Sequence, residues 1–316
     1  MFKIGIVGAG AIGKSHKRAI MENDKCELTA VCDINKESAL VVAEETNARV
    51  YEDYKDMAAN EKLDAVIINL PHFLHKDVSV YFLERGFNVL VEKPMANTKE
   101  ECEEMVAAAE KSGVHLVVGH VQKYHDCYRV LRDMIKEGKL GKLCSITETR
   151  NQDYFPNRPA WFLDKKQSGG GIITNFGAHT LDKVMYTADL GIEEVYAVGN
   201  NFMSDHDVSA SVQLLVKFTG GVSGAFTYCG THIKALYETN FYFTDAIAQI
   251  RNGQELWISE NKGEFVQIEG LNTAGILISA QLKELVNLLE GKETEIVMPD
   301  YAIEIVDALE KAVNMM

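Results

Sequence analysis

Short apolar runs alternate with segments of helical period along roughly the first 120 residues. The apolar runs are rich in β-branched side chains and cover residues 3–7, 28–32, 65–69, 88–91 and 116–118. Such continuous runs are typical of parallel strands buried on both faces. Helical spacing connects them, at residues 36–46, 76–85 and 98–112. This alternation predicts right-handed βαβ units and an α/β fold with a doubly wound, Rossmann-like parallel sheet.

Beyond residue 123 polar and apolar positions alternate instead. Residues 208–218 read as a half-buried strand, Gly220-Gly221 as a hairpin turn and residues 222–228 as the returning strand. Further strands are predicted at residues 142–150, 194–200, 236–243, 246–251, 256–259 and 265–268, and helices at residues 174–187, 276–289 and 301–314. The pattern predicts an α+β domain on a largely antiparallel open sheet, with one wet face.

Composition narrows the class of protein. The 316 residues are 47% hydrophobic and 25% charged, as in soluble globular proteins. With 32 Lys plus Arg against 46 Asp plus Glu, the net charge of −14 disfavours nucleic acid and anionic membranes as partners. No apolar stretch reaches the roughly 18 residues of a membrane span, and the start does not read as a signal peptide. Six scattered cysteines without a C-x-x-C pair indicate buried, reduced thiols and a cytoplasmic location.

A glycine-rich turn, Gly8-Ala9-Gly10-Ala11-Ile12-Gly13, lies between the first strand and a helical segment. In a dinucleotide-binding turn, Gly8 would allow the tight bend, Gly10 would let the backbone approach a pyrophosphate, and Gly13 would let the helix pack on the strand. Ala11 and Ile12 begin the helix whose N-terminus would hold the pyrophosphate. The alternative is a structural turn without a ligand.

Asp33 ends the second strand, 20 residues after Gly13. A carboxylate there accepts hydrogen bonds from the adenosine ribose and repels a 2′-phosphate, which favours NAD over NADP as the cofactor. The alternative, which is compatible with the first, is that Asp33 caps the helix that follows.

Two further loops follow predicted strands at the same sheet edge. Glu92-Lys93-Pro94 follows the strand that ends at Val91, and Leu70-Pro71-His72-Phe73-Leu74-His75 follows the strand at residues 65–69. Ligands of parallel sheets bind outside the carboxyl ends of the strands, so Lys93 can polarise or exchange protons with a substrate hydroxyl. The alternative for Glu92-Lys93-Pro94, taken alone, is a solvated turn without a catalytic role. His72 and His75 lack a third ligand, so no metal is expected.

Together, the glycine turn, Asp33 and Glu92-Lys93-Pro94 resemble the glucose–fructose oxidoreductase, inositol dehydrogenase and MocA family of NAD(P)-dependent enzymes. The stretch from Ser168 to Asp182 also resembles the second signature of that family, G-G-G-x-x-x-D-x-G-x-H-x-x-D. The resemblance covers nearly the whole chain. It implies a dinucleotide-binding Rossmann domain at residues 1–122 and a substrate-binding and oligomerisation domain at residues 123–316.

The resemblance also implies roles for single residues. Lys93 matches the lysine near the nicotinamide that orients the substrate, and His179 matches the histidine that accepts the hydroxyl proton. The candidate cofactor contacts are Gly8, Gly10, Ala11, Ile12, Gly13, Asp33, Leu70, Pro71, His75, Glu92 and Lys93. The candidate substrate contacts are Lys93, Lys123, Tyr154, Trp161, Asn175 and His179.

Three of the substrate positions allow more than one interpretation. Asn175 stands where the family pattern has aspartate, and an amide can neither take up a proton nor carry negative charge. Tyr154 and Trp161 lie in an irregular stretch with Asp153, Arg158 and Phe162. That stretch either forms a substrate wall with polar anchors or packs on its own aromatic side chains.

These observations predict an NAD-dependent oxidoreductase that transfers a hydride between nicotinamide and a secondary hydroxyl of a sugar, cyclitol or polyol. One alternative is an NAD-dependent lyase or glycosidase that oxidises its substrate transiently. Another is a non-catalytic regulator that binds dinucleotide and sugar. The half-wet sheet and the resemblance predict a homodimer or homotetramer.

Overall fold

Two separate β-sheets organise the computed structural model, which describes residues 1–156, 158–201, 206–232, 234–272 and 277–316. The chain divides into a first unit, Met1–Val121 with Gly275–Ile303, and a second unit, Gln122–Ala274 with Glu304–Met316. The first unit contains a six-stranded sheet and the second an eight-stranded sheet.

The elements are numbered in chain order. The strands are β1 (Phe2–Val7), β2 (Cys26–Cys32), β3 (Arg49–Tyr51), β4 (Ala65–Ile68), β5 (Asn88–Glu92), β6 (Leu116–Gly119), β7 (Leu143–Asn151), β8 (Ile192–Asn200), β9 (Ser211–Phe218), β10 (Ser223–Cys229), β11 (Leu236–Phe243), β12 (Ala246–Arg251), β13 (Glu255–Glu260) and β14 (Val266–Gln267). The α-helices are α1 (Ala11–Met21), α2 (Lys36–Ala43), α3 (Tyr54–Asn60), α4 (His75–Leu83), α5 (Lys99–Ser112), α6 (Asp126–Lys136), α7 (Lys165–Ser168), α8 (Ile172–Ala188), α9 (Leu277–Leu289) and α10 (Pro299–Val313).

The first sheet is parallel throughout, in the order β3-β2-β1-β4-β5-β6. Every residue of the central strand β4 is fully buried, as expected of a strand covered on both faces. The predicted doubly wound sheet is therefore confirmed. Sequence analysis missed β3 and α3, because β3 has only three residues and all of them are at least partly exposed.

Helix α9 completes the core of the first unit from a distant part of the sequence. Leu282, Leu285 and Val286 are buried in the same cluster as Ile4 and Ile6 of β1. Burying an aliphatic side chain stabilises a fold by roughly 1.5–3 kcal/mol, so this helix contributes substantially. The prediction that residues 123–316 form one continuous domain differs from this division, although its boundary lies next to the observed one. Residue 276, the predicted start of the helix, lies outside the described residues.

The second sheet runs in the order β14-β13-β12-β11-β7-β10-β9-β8 and is antiparallel except between β7 and β10. Buried and exposed residues alternate along β9, and β10 returns after Gly220 and Gly221, whose φ angles are +71° and +77°. The predicted half-buried open sheet is therefore confirmed. Helix α6 was missed, although it buries Tyr128 and Leu131.

The cysteines are all free, and Cys26, Cys32, Cys102 and Cys127 are buried. Burial raises the pKa of Cys26 to about 11 and those of Cys32 and Cys127 to about 12, which keeps these thiols protonated. Cys144 is exposed, contrary to the expectation that the thiols are buried. Among the described helices, none combines the length and the apolar character needed to cross a membrane.

Candidate active site

The glycine-rich turn joins β1 to α1 with little space around two of its glycines. Gly8 has a φ of +97°, and a Cβ added there would lie 2.4 Å from the carbonyl oxygen of Asn69. A Cβ on Gly13 would lie 2.4 Å from the carbonyl oxygen of Gly8. Around Gly10, by contrast, a Cβ would meet no atom of the described chain within 4 Å. Gly8 and Gly13 are needed for the fold of the turn, whereas the space at Gly10 is left open.

This difference yields a prediction that separates a ligand-binding turn from a purely structural one. We expect Gly10→Ala to leave the unfolding temperature nearly unchanged while weakening NAD binding about tenfold or more, because a methyl group would occupy the pyrophosphate space. Gly13→Ala is the matched control and should lower the unfolding temperature by several degrees, because its Cβ overlaps the backbone. Calorimetry and NAD titration measure both effects. Unchanged NAD affinity in folded Gly10→Ala would contradict the assignment.

Asp33 braces the glycine-rich turn. Its Oδ2 accepts a hydrogen bond of 2.7 Å from the backbone N–H of Ala9, and its Oδ1 accepts one of 2.8 Å from the N–H of Asn35. The N-cap of α2 is Asn35, whose side chain accepts from the N–H of Ser38. The interpretation of Asp33 as that cap is therefore wrong. The carboxylate is instead held against the turn, where a ribose hydroxyl can still donate to it.

Glu92 supports the start of the turn that carries Lys93. His16, buried in α1, places Nε2 3.2 Å from Oε1 of Glu92, and Oε2 accepts a hydrogen bond of 3.2 Å from the N–H of Lys93. Burial raises the pKa of Glu92, but the hydrogen bond and charge of His16 and the charge of Lys93 outweigh it, so that pKa lies below its ordinary value. Glu92 is therefore an ionised anchor within the protein.

His75 ties two loops at the same edge of the sheet together. The ring is fully buried, with Nε2 2.8 Å from the carbonyl oxygen of Leu70 and Nδ1 2.9 Å from that of Pro94. Burial lowers the pKa of His75, although both carbonyl oxygens act against that shift. Both ring nitrogens contact the protein itself, so we assign His75 to positioning the Leu70-Pro71 and Lys93-Pro94 segments. A direct contact of His75 with the cofactor stays a prediction.

Asn69 is a residue of this edge that sequence analysis missed. Its side-chain amide is buried, and neither its oxygen nor its nitrogen has a hydrogen-bond partner in the described part of the chain. The amide lies beside the turn, since Nδ2 is 3.7 Å from the position of a Cβ on Gly13. A polar residue ending an apolar strand was the available signal. The unsatisfied amide and the open space at Gly10 both fit a bound dinucleotide, which would supply the missing hydrogen bonds.

In the second unit, the glycines before α8 allow close packing that a larger residue would prevent. Gly170 and Gly171 have φ angles of +130° and +71°, and a Cβ on Gly171 would lie 2.5 Å from the side chain of Val208. Within the helix, a Cβ on Gly177 would lie 2.6 Å from Leu309 of α10. These glycines therefore fix where α8 begins and how closely it packs.

Helix α8 presents Asn175 and His179 one turn apart, and both are partly exposed while Phe176 and Thr180 are buried. Lys123 lies in a 3-10 turn that packs against α8. The side chain of Lys123 is largely buried, with Nζ 5.4 Å from the ring centroid of Tyr186, two helical turns after His179. The structure of this unit thus brings Lys123 to the helix that carries Asn175 and His179.

Tyr154 is fully buried and packs edge-to-face on Phe176, with ring centroids 5.5 Å apart. Burial raises its pKa to about 12, against the opposing effects of the Arg158 charge and the Asn175 side chain. For Tyr154 the structure shows the aromatic packing of the second alternative, and its contact with a substrate stays a prediction. Trp161 is partly exposed and packs on Phe162, with centroids 3.9 Å apart.

Two family models match the chain. One, described as "Oxidoreductase family, NAD-binding Rossmann fold", matches residues 2–120, and the other, the GFO/IDH/MocA C-terminal domain, matches residues 128–248. The chain belongs to the GFO/IDH/MocA oxidoreductase family. The resemblance inferred from the motifs is confirmed.

Relatives of this GFO/IDH/MocA protein include 2,7-anhydro-N-acetylneuraminate hydratase of Mediterraneibacter gnavus, 31% identical over 198 residues. D-glucoside 3-dehydrogenase of Escherichia coli is 32% identical over 200 residues. Each alignment covers 62% of this chain, with 52% of the hydratase and 56% of the dehydrogenase. The chain thus spans about half the length of these relatives.

Solved structures share the fold over nearly the whole chain. An NAD-binding oxidoreductase from Klebsiella pneumoniae has a TM-score of 0.88 at 20% identity, covering 100% of this chain and 96% of that one. Levoglucosan dehydrogenase in complex with NADH and L-sorbose has a TM-score of 0.86 at 18% identity, covering 99% and 96%. At these identities the likeness supports the fold alone.

Between α8 and the second sheet lies a buried ionic network that sequence analysis missed. Lys183 and Glu148 form an ion pair in which both side chains are fully buried. Glu148 accepts hydrogen bonds of 2.5 Å from Thr180 and 2.7 Å from Thr239, and Lys183 donates one of 2.5 Å to Tyr237. The available signal was a lysine and a glutamate on otherwise buried faces. The network fixes α8, and therefore His179, against the sheet.

Proposed function

We propose that the protein is an NAD-dependent oxidoreductase that oxidises a secondary hydroxyl of a sugar, cyclitol or polyol. The observation that carries the proposal is the turn at residues 8–13, which is open at Gly10 and flanked by Asp33 and the unsatisfied amide of Asn69. Membership in an oxidoreductase family supports it further. The dehydrogenase relative indicates carbohydrate hydroxyls as the substrate class.

The chain's own residues would bind the cofactor and handle the proton. Asp33 would accept from the adenosine ribose, and the N–H groups at the start of α1 would hold the pyrophosphate. NAD, when bound, supplies the hydride acceptor. His179 would take the hydroxyl proton, and the ammonium group of Lys93 would stabilise the negative charge that develops on the oxygen.

The decisive experiment is a stoichiometric assay. We expect the purified protein to form one NADH per oxidised product with at least one compound from a panel of sugars, cyclitols and polyols. A panel without any turnover, despite measured NAD binding, would contradict the proposal.

The hydratase relative and Asn175 favour a second candidate, a lyase that oxidises its substrate only transiently. In that reaction the hydride returns to the substrate, so product would form without accumulation of NADH. The same assay therefore separates the two candidates.

We expect NAD to be preferred over NADP by at least about tenfold in kcat/KM. The carboxylate of Asp33 is held beside the turn and would repel a 2′-phosphate. Steady-state kinetics with both cofactors test this, and equal or better use of NADP would contradict it. Asp33→Asn is expected to reduce the preference.

His179→Ala is expected to lower kcat by about 10²-fold or more, because a positioned general base contributes about 10²–10⁴-fold. It should also flatten the pH dependence of kcat. Thr187→Ala, a buried change at the far end of α8, serves as a control for general perturbation of the helix. A full pH–rate profile measures both effects, and an unchanged profile would count against His179 as the base.

We further propose a homodimer or homotetramer assembled through the open face of the second sheet. Tyr196, Val198 and Leu215 are 58%, 73% and 53% exposed on that face, which is a cluster of apolar side chains that a partner copy would cover. Sedimentation velocity tests the oligomeric state.

The free, mostly buried cysteines support a cytoplasmic location, which imaging of the tagged protein would test.

A further inference from the structure

Two partly exposed arginines stack on aromatic side chains next to the N-terminal turns of α8. The guanidinium carbon of Arg150, on β7, lies 4.0 Å from the ring centroid of Phe176 and 4.8 Å from that of Tyr237. Phe176 directly follows Asn175 in the helix. Arg150 therefore lies beside the segment of α8 that carries the candidate substrate contacts.

Arg158 joins the same aromatic cluster from the irregular loop. Its guanidinium carbon lies 4.7 Å from the ring centroid of Tyr154 and 5.0 Å from that of Phe162. Tyr154 in turn packs on Phe176, so both arginines are attached to one continuous set of rings. Such stacking holds a guanidinium in place and covers its faces, but it does not neutralise its charge.

Neither arginine has a carboxylate within ion-pair distance among the described residues, although the chain carries a net charge of −14. The nearby acids are engaged elsewhere. Glu148 is paired with Lys183, Asp153 lies 2.8 Å from His232, and Asp164 caps α7. The arrangement thus leaves two positive charges uncompensated in an acidic protein.

The free edges of the guanidinium groups are suited to an anion. Arg150 donates one hydrogen bond of 3.2 Å to the side-chain oxygen of Gln152, and Arg158 donates one of 3.0 Å to the carbonyl oxygen of Tyr154. A guanidinium has five N–H groups in one plane, so most remain available for a bidentate contact with a carboxylate or phosphate.

We propose that Arg150 and Arg158 bind an anionic group of the substrate, so that the enzyme acts on a sugar acid or sugar phosphate in preference to a neutral polyol. This inference rests on the proposed function, because α8 carries the candidate proton acceptor His179. It adds to that function the negative charge of the substrate and the two residues that recognise this charge.

Arg251 offers a matched control on the same sheet. Its guanidinium carbon lies 4.3 Å from the ring centroid of Trp257, and its side chain donates to Gln249, so its local stacking resembles that of Arg150. Unlike Arg150, however, it faces Glu238 and Glu255 across the neighbouring strands. Its charge therefore has acidic neighbours, and we expect no effect of Arg251 on substrate charge preference.

The test is calorimetric titration of the protein–NADH complex, in which no oxidation can occur, with matched pairs of ligands. The probes are glucuronate and glucose 6-phosphate against glucose, galacturonate against galactose, and myo-inositol 1-phosphate against myo-inositol. We expect at least one acid to bind tenfold or more tightly than its neutral counterpart. Arg150→Gln should weaken the binding of that acid by about 10–100-fold, because a charge-assisted bidentate contact is lost. The affinity for the neutral ligands should change little.

Further variants keep the result interpretable. Arg150→Lys retains the charge but not the planar fork, so it should restore part of the affinity for the acid. Arg158→Met tests the contribution of the second arginine, and Arg251→Met should leave the acid-to-neutral ratio unchanged. The uronates and the phosphates separate a carboxylate ligand from a phosphate ligand.

Two outcomes would overturn the inference. One is that every acid binds no better than its neutral counterpart. The other is that the acid preference survives in both Arg150→Gln and Arg158→Met. In either case oxidation of a neutral sugar with NADH formation would leave the proposed function standing. A protein that binds no NADH at all would instead contradict the proposed function itself.

Discussion

Lys93→Ala is expected to lower kcat by about 10³-fold or more while leaving NAD affinity within about threefold of the wild type. Removing one positioned donor that stabilises a developing oxyanion costs about 10²–10³-fold, and Lys93 would supply a full charge in addition. NAD binding should persist, because the open turn at Gly10 and the carboxylate of Asp33 are untouched.

Single-turnover kinetics and NAD titration together measure this effect. Lys111→Ala, an exposed lysine at the end of α5, is the matched control and should behave as wild type. Lys93→Arg keeps the charge but changes its shape and reach, so partial activity is expected. A Lys93→Ala variant with kcat near the wild-type value would remove Lys93 from the mechanism.

Lys183→Met is expected to lower the free energy of unfolding by about 3–5 kcal/mol. The substitution leaves Glu148 as a fully buried carboxylate without its cation, and breaking a buried ion pair from one side costs about this much. Three hydroxyl groups around the pair, those of Thr180, Thr239 and Tyr237, do not supply a compensating charge.

The double variant Glu148→Leu/Lys183→Met provides the control for this prediction. Because both charges are removed together, we expect it to recover most of the stability that Lys183→Met loses. Urea unfolding of the wild type, both single variants and the double variant gives the coupling energy. Single variants within about 1 kcal/mol of the wild type would contradict the assigned importance of the pair.

The sequence predicted the elements whose patterns are local. The turn at Gly8 and Gly13 could be predicted because backbone crowding at these positions excludes any side chain. Helix α8 could be predicted because its glycines and His179 have the spacing of a known motif. Strands with two buried faces or strict alternation were also legible, because burial acts on every second residue or on all of them.

Other features depend on contacts between distant segments, which no local pattern encodes. The amphipathic pattern of α9 does not indicate that Leu285 joins the buried cluster that contains Ile4 and Ile6 of β1. Similarly, the strand register that sets Arg150 opposite Tyr237 follows from the pairing of β7 with β11. The burial of Tyr154 could not be predicted, because an irregular segment has no periodicity from which burial can be inferred.

The late return of α9 to the first unit has a consequence for synthesis on the ribosome. Leu282, Leu285 and Val286 are synthesised only after most of the chain has been translated, yet they belong to the same buried cluster as Ile4 and Ile6 near its beginning. The nascent Rossmann half therefore leaves the ribosome with part of its apolar surface uncovered. Helix α9 can bury that surface only after nearly the whole chain has been synthesised. During that interval the surface is exposed to chaperones and to self-association, and fragments ending near residue 121 carry the same exposed surface permanently.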